Sequence, residues 1–327
     1  MNMPTGKILR FWEKHKSSHV FIGSLAISRL AEDLKKCPPT VPDWRIPEVL
    51  PESDEAFVSH IFYICAVDFA FTHFEPPYEK YQLESGHSGS EALVAAFYRK
   101  FGERPISADM ILKITDSPVK TEAFFQGLNL PPLMEERRLN LQESASVVKN
   151  CFGNNPANLL EHSKYSADRL ISLLLTYFYR SFGSDCYSLS PEIMNAANFY
   201  ENPLFANKRA QLFPLIYQGR ALHSQNRLPL LRDEKNIGPV ADYQIPKFFR
   251  NIGVLRYTQE LDDKIANRKI LPFGGEEEME IRFATIYAII QLQQLTGLTM
   301  PAIDFFLWSE GQKVTGRYRH LCATTAY

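Results

Sequence analysis

Three aspartates stand in settings where a carboxylate could take part in chemistry. Asp233 and Asp242 lie on a connection punctuated by Gly238 and Pro239, within LLRDEKNIGPVADYQIPKFFRNIGVLRY (residues 230–257), and Asp304 lies between Ile303 and the apolar run FFLW. The first two fall at a loop-to-helix entry, where functional groups are often presented. The third would be partly desolvated, which is one way to tune a carboxyl for chemistry. A plainer alternative exists for these acids, that of a helix N-cap, Asp304 serving the FFLW turn. The sequence has no GxGxxG or Walker loop, no HExxH and no GxSxG, and its eight histidines show no ligand spacing, so neither a cofactor nor a metal is expected. Carboxylates acting without a metal are the means of glycosidic-bond cleavage.

The elements that must position these acids read as helices. Strand signals are scarce, and the chain is expected to be mainly α, one body over residues 1–327 with conceivable helical subregions 1–160 and 161–327. A helix opens at Pro246, meets a tight turn at Gly253 and gives way to a second helix capped by Thr258, a helix-hairpin-helix pattern. Val20–Leu34 has helical spacing. Ser53 and Asp54 begin a long helix, apolar on nearly all sides, that should carry Asp68 and His73; Asp68 is either a hydrogen-bonded core residue or a site wall, the structural role being the simpler. Glu135, Glu136, Arg137 and Arg138 read as a solvated face. Lys208, Arg209 and Gln211 open another helix, where two cations and a helix N-terminus could hold an anion, or flank a core helix from the surface. Of Glu280 and Arg282, too close in sequence to face each other, one should look inward, and a buried Arg282 would need a carboxylate partner.

The bulk properties exclude several classes. With 36 Lys+Arg against 37 Asp+Glu there is no polycationic field for a long nucleic acid. Five scattered cysteines without a CxxC pair suit reduced thiols in a reducing compartment. The apolar run from Phe283 is broken by glutamines, and the basic N-terminus lacks the apolar core of a secretory signal, so a soluble, cytoplasmic protein without a membrane span is expected.

Four stretches, NKRAQLF (207–213), LRDEKNIGPVADYQIPKFFRNIGVLRY (231–257), EEEMEIRFATI (276–286) and IDFFLWSEG (303–311), together resemble the queuosine salvage protein family, the queuosine 5'-phosphate N-glycosylase/hydrolases. VDFAF from Val67 and HLCATTAY from His320 add to the likeness. The resemblance implies a helical fold related to the helix-hairpin-helix DNA glycosylases. It also implies hydrolysis of the N-glycosidic bond of queuosine 5'-phosphate, releasing queuine for tRNA modification. By the same resemblance Asp304 is the nucleophile or transition-state stabiliser and Asp233 a base-binding acid, with Leu231 where the family has Phe. Asp242 and Tyr243 match its ADY, and Phe305 and Ser309 continue the wall behind Asp304. Lys208, Arg209 and His320 are candidates for the phosphate. Leu50 stands where relatives tend to carry a His, LTMF has become IGPV, NFxFW has become VDFAF and HRT has become HLC, departures that bear on affinity more than on the acids. A helix-hairpin-helix DNA base glycosylase and a non-catalytic queuine-binding protein are the competing classes.

Overall fold

The computed structural model describes residues 3–327, nearly all of whose regular structure is helical. Its centre is the pair Asp54–Ala66 and Lys208–Leu222, packed on each other. The first starts as its sequence dictates: the Ser53 hydroxyl accepts from the Ala56 amide, and Asp54 and Glu55 occupy the first turn, where the helix dipole favours acids. It is buried on every side and stops at Ala66, so Asp68 and His73 lie beyond it on the following loop. The helices Gln244–Asn251, Glu276–Thr296 and Met300–Lys313 pack alongside, and one apolar cluster runs from Val20 to Leu307 across both conceivable subregions.

Four strands of two or three residues form two antiparallel pairs, Val20–Ile22 with Leu255–Tyr257 and Cys186–Tyr187 with Leu204–Phe205. The first pair alters two expectations. Helical spacing from Val20 holds only from Ser24, because Gly23 turns the chain so close to Gly253 that a Cβ there would lie 2.2 Å from the Gly253 carbonyl oxygen. The expected helix-hairpin-helix has the Gly253 turn at φ +77° and the Thr258 cap, but the strand Leu255–Tyr257 separates the turn from the second helix, Gln259–Ala266.

Three charged residues are internal where the sequence predicts one, either Glu280 or Arg282. Arg137, expected on a solvated face, is fully buried and donates to the carbonyls of Pro132, Val67, Phe69 and Ala70. Burial lowers its pKa to about 10, and it is still the charged form that clamps the loop after Ala66. Glu280 and Arg282 both look inward, on different sides of their helix. Glu280 accepts from the amides of Ser18, His19 and Val20, and Arg282 makes a bidentate pair with buried Asp185 at 3.1 and 2.9 Å. No described helix is long and apolar enough to cross a membrane, and the five cysteines are free thiols, Cys37 and Cys151 exposed.

Candidate active site

A cavity of about 350 Å³ opens between the N-terminal end of Lys208–Leu222, the middle of Met300–Lys313 and the segment Pro42–Leu50. That segment carries Trp44 in the left-handed region (φ +55°), and it approaches the helix at Gly219, where any Cβ would fall within 2.8 Å of the Trp44 ring and the Pro42 carbonyl. Trp44, Phe305 and Trp308 give the cavity an aromatic wall, Trp44 edge-on to Phe305 at 5.5 Å and Phe305 stacked with Trp308 at 6.3 Å. Leu50 lines it as an apolar contact.

The opposite end is charged. Asp304 is the fifth residue of its helix, which starts at Met300 with Thr299 at the cap position, so it is no N-cap. It is 6 % exposed, and its Oδ1 has no hydrogen-bond partner. Burial and then the Asp242 carboxylate push its pKa well above the ordinary value, against the pull of Lys208 and the Val240 amide. Asp242 is also raised, chiefly by burial; its Oδ1 accepts from the amides of Gln244 (2.8 Å) and Ile245 (3.1 Å), so one oxygen caps a helix while the residue still faces the cavity. Lys208 supplies the local cation: its ammonium donates to the carbonyl and carboxylate of Asp68, and its own amide is fixed by Asp185 at 2.9 Å. Asp68 is thus a wall of the site, a place given by the loop that Arg137 and Arg209 hold.

At the junction of Asp68, Lys208 and Asp242 the cavity meets a small polar annex of about 30 Å³, which adds Lys80, Gln244 and Arg319. Arg319 lies over the Tyr243 ring, 3.9 Å from its centroid, and donates to the Thr72 hydroxyl. Lys80 and the neighbouring Lys247 are both lowered in pKa by burial and then by Arg319, against a smaller pull from Glu91 on the first and Asp242 on the second. Three cations therefore converge without an ion pair among the described residues, an arrangement that calls for an anion. The Gln244 Oε1 is buried and unpartnered beside them.

The structure brings together Asp304, Asp242, Phe305, Leu50, Lys208 and Tyr243. It separates the others. Asp233 reaches back to the helix Ala167–Tyr177, accepting from the amides of Ala167 and Asp168 and from the Ser166 hydroxyl, which leaves it capping a helix outside the cavity. Leu231 belongs to the apolar core, and Ser309 is half-buried beyond the lining. Arg209 spends its guanidinium on the Ala66 carbonyl and the Ser184 hydroxyl, and His320, buried against Tyr327 with its pKa lowered to about 3, carries no charge for a phosphate. Asp68 takes the site-wall role that the sequence offers beside the simpler structural one; Lys80, Trp44, Trp308 and Arg319 carry no role in the sequence because no spacing links them, and only the aromatic density of their segments is a signal.

The sequence pattern of the family described as queuosine salvage protein matches residues 49–325. Similar curated proteins carry the name queuosine 5'-phosphate N-glycosylase/hydrolase. That of Sphaerobacter thermophilus is 27% identical over 302 residues, covering 90% of this chain and 88% of its own length. The Nematostella vectensis protein is 26% identical over 347 residues (94% and 93%), and the Bos taurus protein 27% over 318 (89% and 88%). With the match extending over most of the chain, including Asp304, Asp242 and the annex, the chain belongs to the queuosine salvage protein family.

Proposed function

We propose that the protein hydrolyses the N-glycosidic bond of queuosine 5'-phosphate, giving queuine and ribose 5-phosphate. The observation that carries this reading is Asp304, a buried carboxyl with one free oxygen facing a cavity sized for a nucleotide, in a chain whose relatives bear that activity's name. The base lies against Trp44, Phe305 and Trp308, and the ribose spans the junction at Asp68, Lys208 and Asp242. The 5'-phosphate enters the annex, where Lys80, Arg319 and Lys247 answer its charge. Queuine is a 7-deazaguanine, so there is no N7 to protonate, and the leaving base must receive its proton elsewhere on the ring. Asp304, biased toward its protonated form by burial and by Asp242, gives that proton as the C1'–N bond breaks. The bonding pair leaves with the base. The carboxylate so formed faces the developing oxocarbenium, which it stabilises or captures until water adds at C1' and returns a proton to Asp304.

The charge thus appears where it is needed, at the moment it is needed. Asp242, already fixed by two amides, keeps Asp304 from ionising early and takes no contact with the base. Residues 1–327 form a single catalytic domain in this reading, and Gln244–Ala266 is a helix-hairpin-helix into which the strand Leu255–Tyr257 has been set, in keeping with kinship to base-excising glycosylases. The free thiols suit a reducing cell interior. The test is to incubate the protein with queuosine 5'-phosphate and, in parallel, queuosine, and to follow queuine by chromatography and mass. Release from the phosphate form, with a lower kcat/KM for the nucleoside, is expected. Absence of release from either overturns the reading.

A further inference from the structure

Away from the cavity, a groove of about 510 Å³ runs between the C-terminal end of Ser90–Phe101, the helix Ala108–Thr115 and the helix Pro118–Phe125. Its rim is made by Arg99, Lys100, Arg104, Lys113 and Lys120, its floor by Phe101, Met110, Ile114, Ala123 and Phe124, and no carboxylate lines it among the described residues. Three of the cations sit in the last turns of their helices, where the dipole welcomes them. That explains each singly and does not explain their convergence on one apolar-floored groove. Arg99 and Arg104 are held in place by backbone carbonyls, and Lys120 pairs with Asp116. Lys100 and Lys113 are exposed and form no ion pair among the described residues; Asp109, the acid near Lys113, is engaged by Lys149.

The charge balance narrows the occupant. The chain carries a formal −1. Setting these five cations aside leaves −6 on the remainder, so a long polyanion that fits the groove would be repelled beyond it. The floor rings of Phe101 and Phe124 are each only 5 % exposed and offer no face on which bases could stack, as single-stranded nucleic acid requires. A short acidic chain with one apolar side chain satisfies both the rim and the floor, in a volume typical of pockets for peptide-sized ligands.

We propose that this groove docks an acidic segment of a partner protein, its carboxylates on Lys100 and Lys113 and one apolar side chain against Met110, Ile114 and Phe124. The site is independent of hydrolysis and does not rest on it. The test uses the full chain and a fluorescein-labelled decapeptide of Glu and Asp around a single Leu, followed by anisotropy. A Leu-to-Ser peptide and a decameric oligouridylate run beside it. Saturable binding that weakens with salt, and by about tenfold or more both with the Ser peptide and with the Lys100→Glu/Lys113→Glu protein, is expected. Queuine release should be unchanged in that variant, which shows that it folds. No saturable binding, equal affinity in the charge-reversed protein, or tighter binding of the oligouridylate would each overturn the proposal.

Discussion

Two groups of buried carboxylates lie on either side of the N-terminal end of Lys208–Leu222, and they are built on opposite rules. Asp185 and Glu278 are answered almost atom for atom: Asp185 by both guanidinium nitrogens of Arg282 and the Lys208 amide, Glu278 by the hydroxyls of Tyr187 and Tyr327 and the Gly274 amide. Asp304 has an oxygen with no partner and a second carboxylate close enough to raise its pKa. The first group spends its charge on holding the fold. The second leaves a carboxyl oxygen unpartnered, which costs stability and leaves the group available to a substrate. Residue type does not distinguish the two; the completeness of the hydrogen bonding does.

The comparison can be broken at either end. Removing a partner from the satisfied group should have the largest effect on folding: Arg282→Met strands Asp185 and is expected to cost about 3–5 kcal/mol, measured by denaturant unfolding. Asp304→Asn should do the reverse and raise the melting temperature at neutral pH. Because Asp304 titrates above its ordinary value of 3.8 when folded, the stability it allows is fully present below that value and is lost as pH rises toward the folded one. The advantage of the Asn variant should therefore grow over that window. Asp233 carries the opposite sign. Burial would raise it, but the Ala167 and Asp168 amides and the Ser166 hydroxyl hold it below 3.8, so its stability is present above 3.8 and is lost as pH falls through the folded value. Asp233→Ala is expected to cost about 1 kcal/mol at neutral pH, and less in acid. In the annex, Arg319→Met should raise KM for queuosine 5'-phosphate about tenfold with kcat little changed, and should leave KM for queuosine nearly unmoved.

Much of this was legible in the residues, and the misses share a cause. Helix starts announce themselves locally, through Ser53 before Asp54 and Thr258 before Gln259, and so did the apolar setting of Asp304. What sequence does not show is a partner brought from far along the chain. Only the resemblance gives Asp233 to the base; the plainer helix-cap alternative is the one found, but nothing near Asp233 reveals that the helix it caps is the distant one at Ala167, and Arg137, inside the run EERR, gives no sign that four carbonyls await it. The pair Val20–Ile22 with Leu255–Tyr257 is too short to leave an alternating pattern, so the first stretch passed for the start of a helix. Lys80 and Arg319 come from turn-rich segments with no periodicity, and only the fold sets them beside Tyr243.

The central claim is that among these aspartates the chemistry belongs to Asp304 and not to Asp233. It is tested most directly by single-turnover release of queuine from queuosine 5'-phosphate by Asp304→Asn and Asp233→Asn side by side. Loss of roughly a thousandfold in the first, with the second within a few-fold of the unaltered protein, is the predicted result. A near-normal rate for Asp304→Asn, or an equal loss in Asp233→Asn with its fold intact, would contradict it.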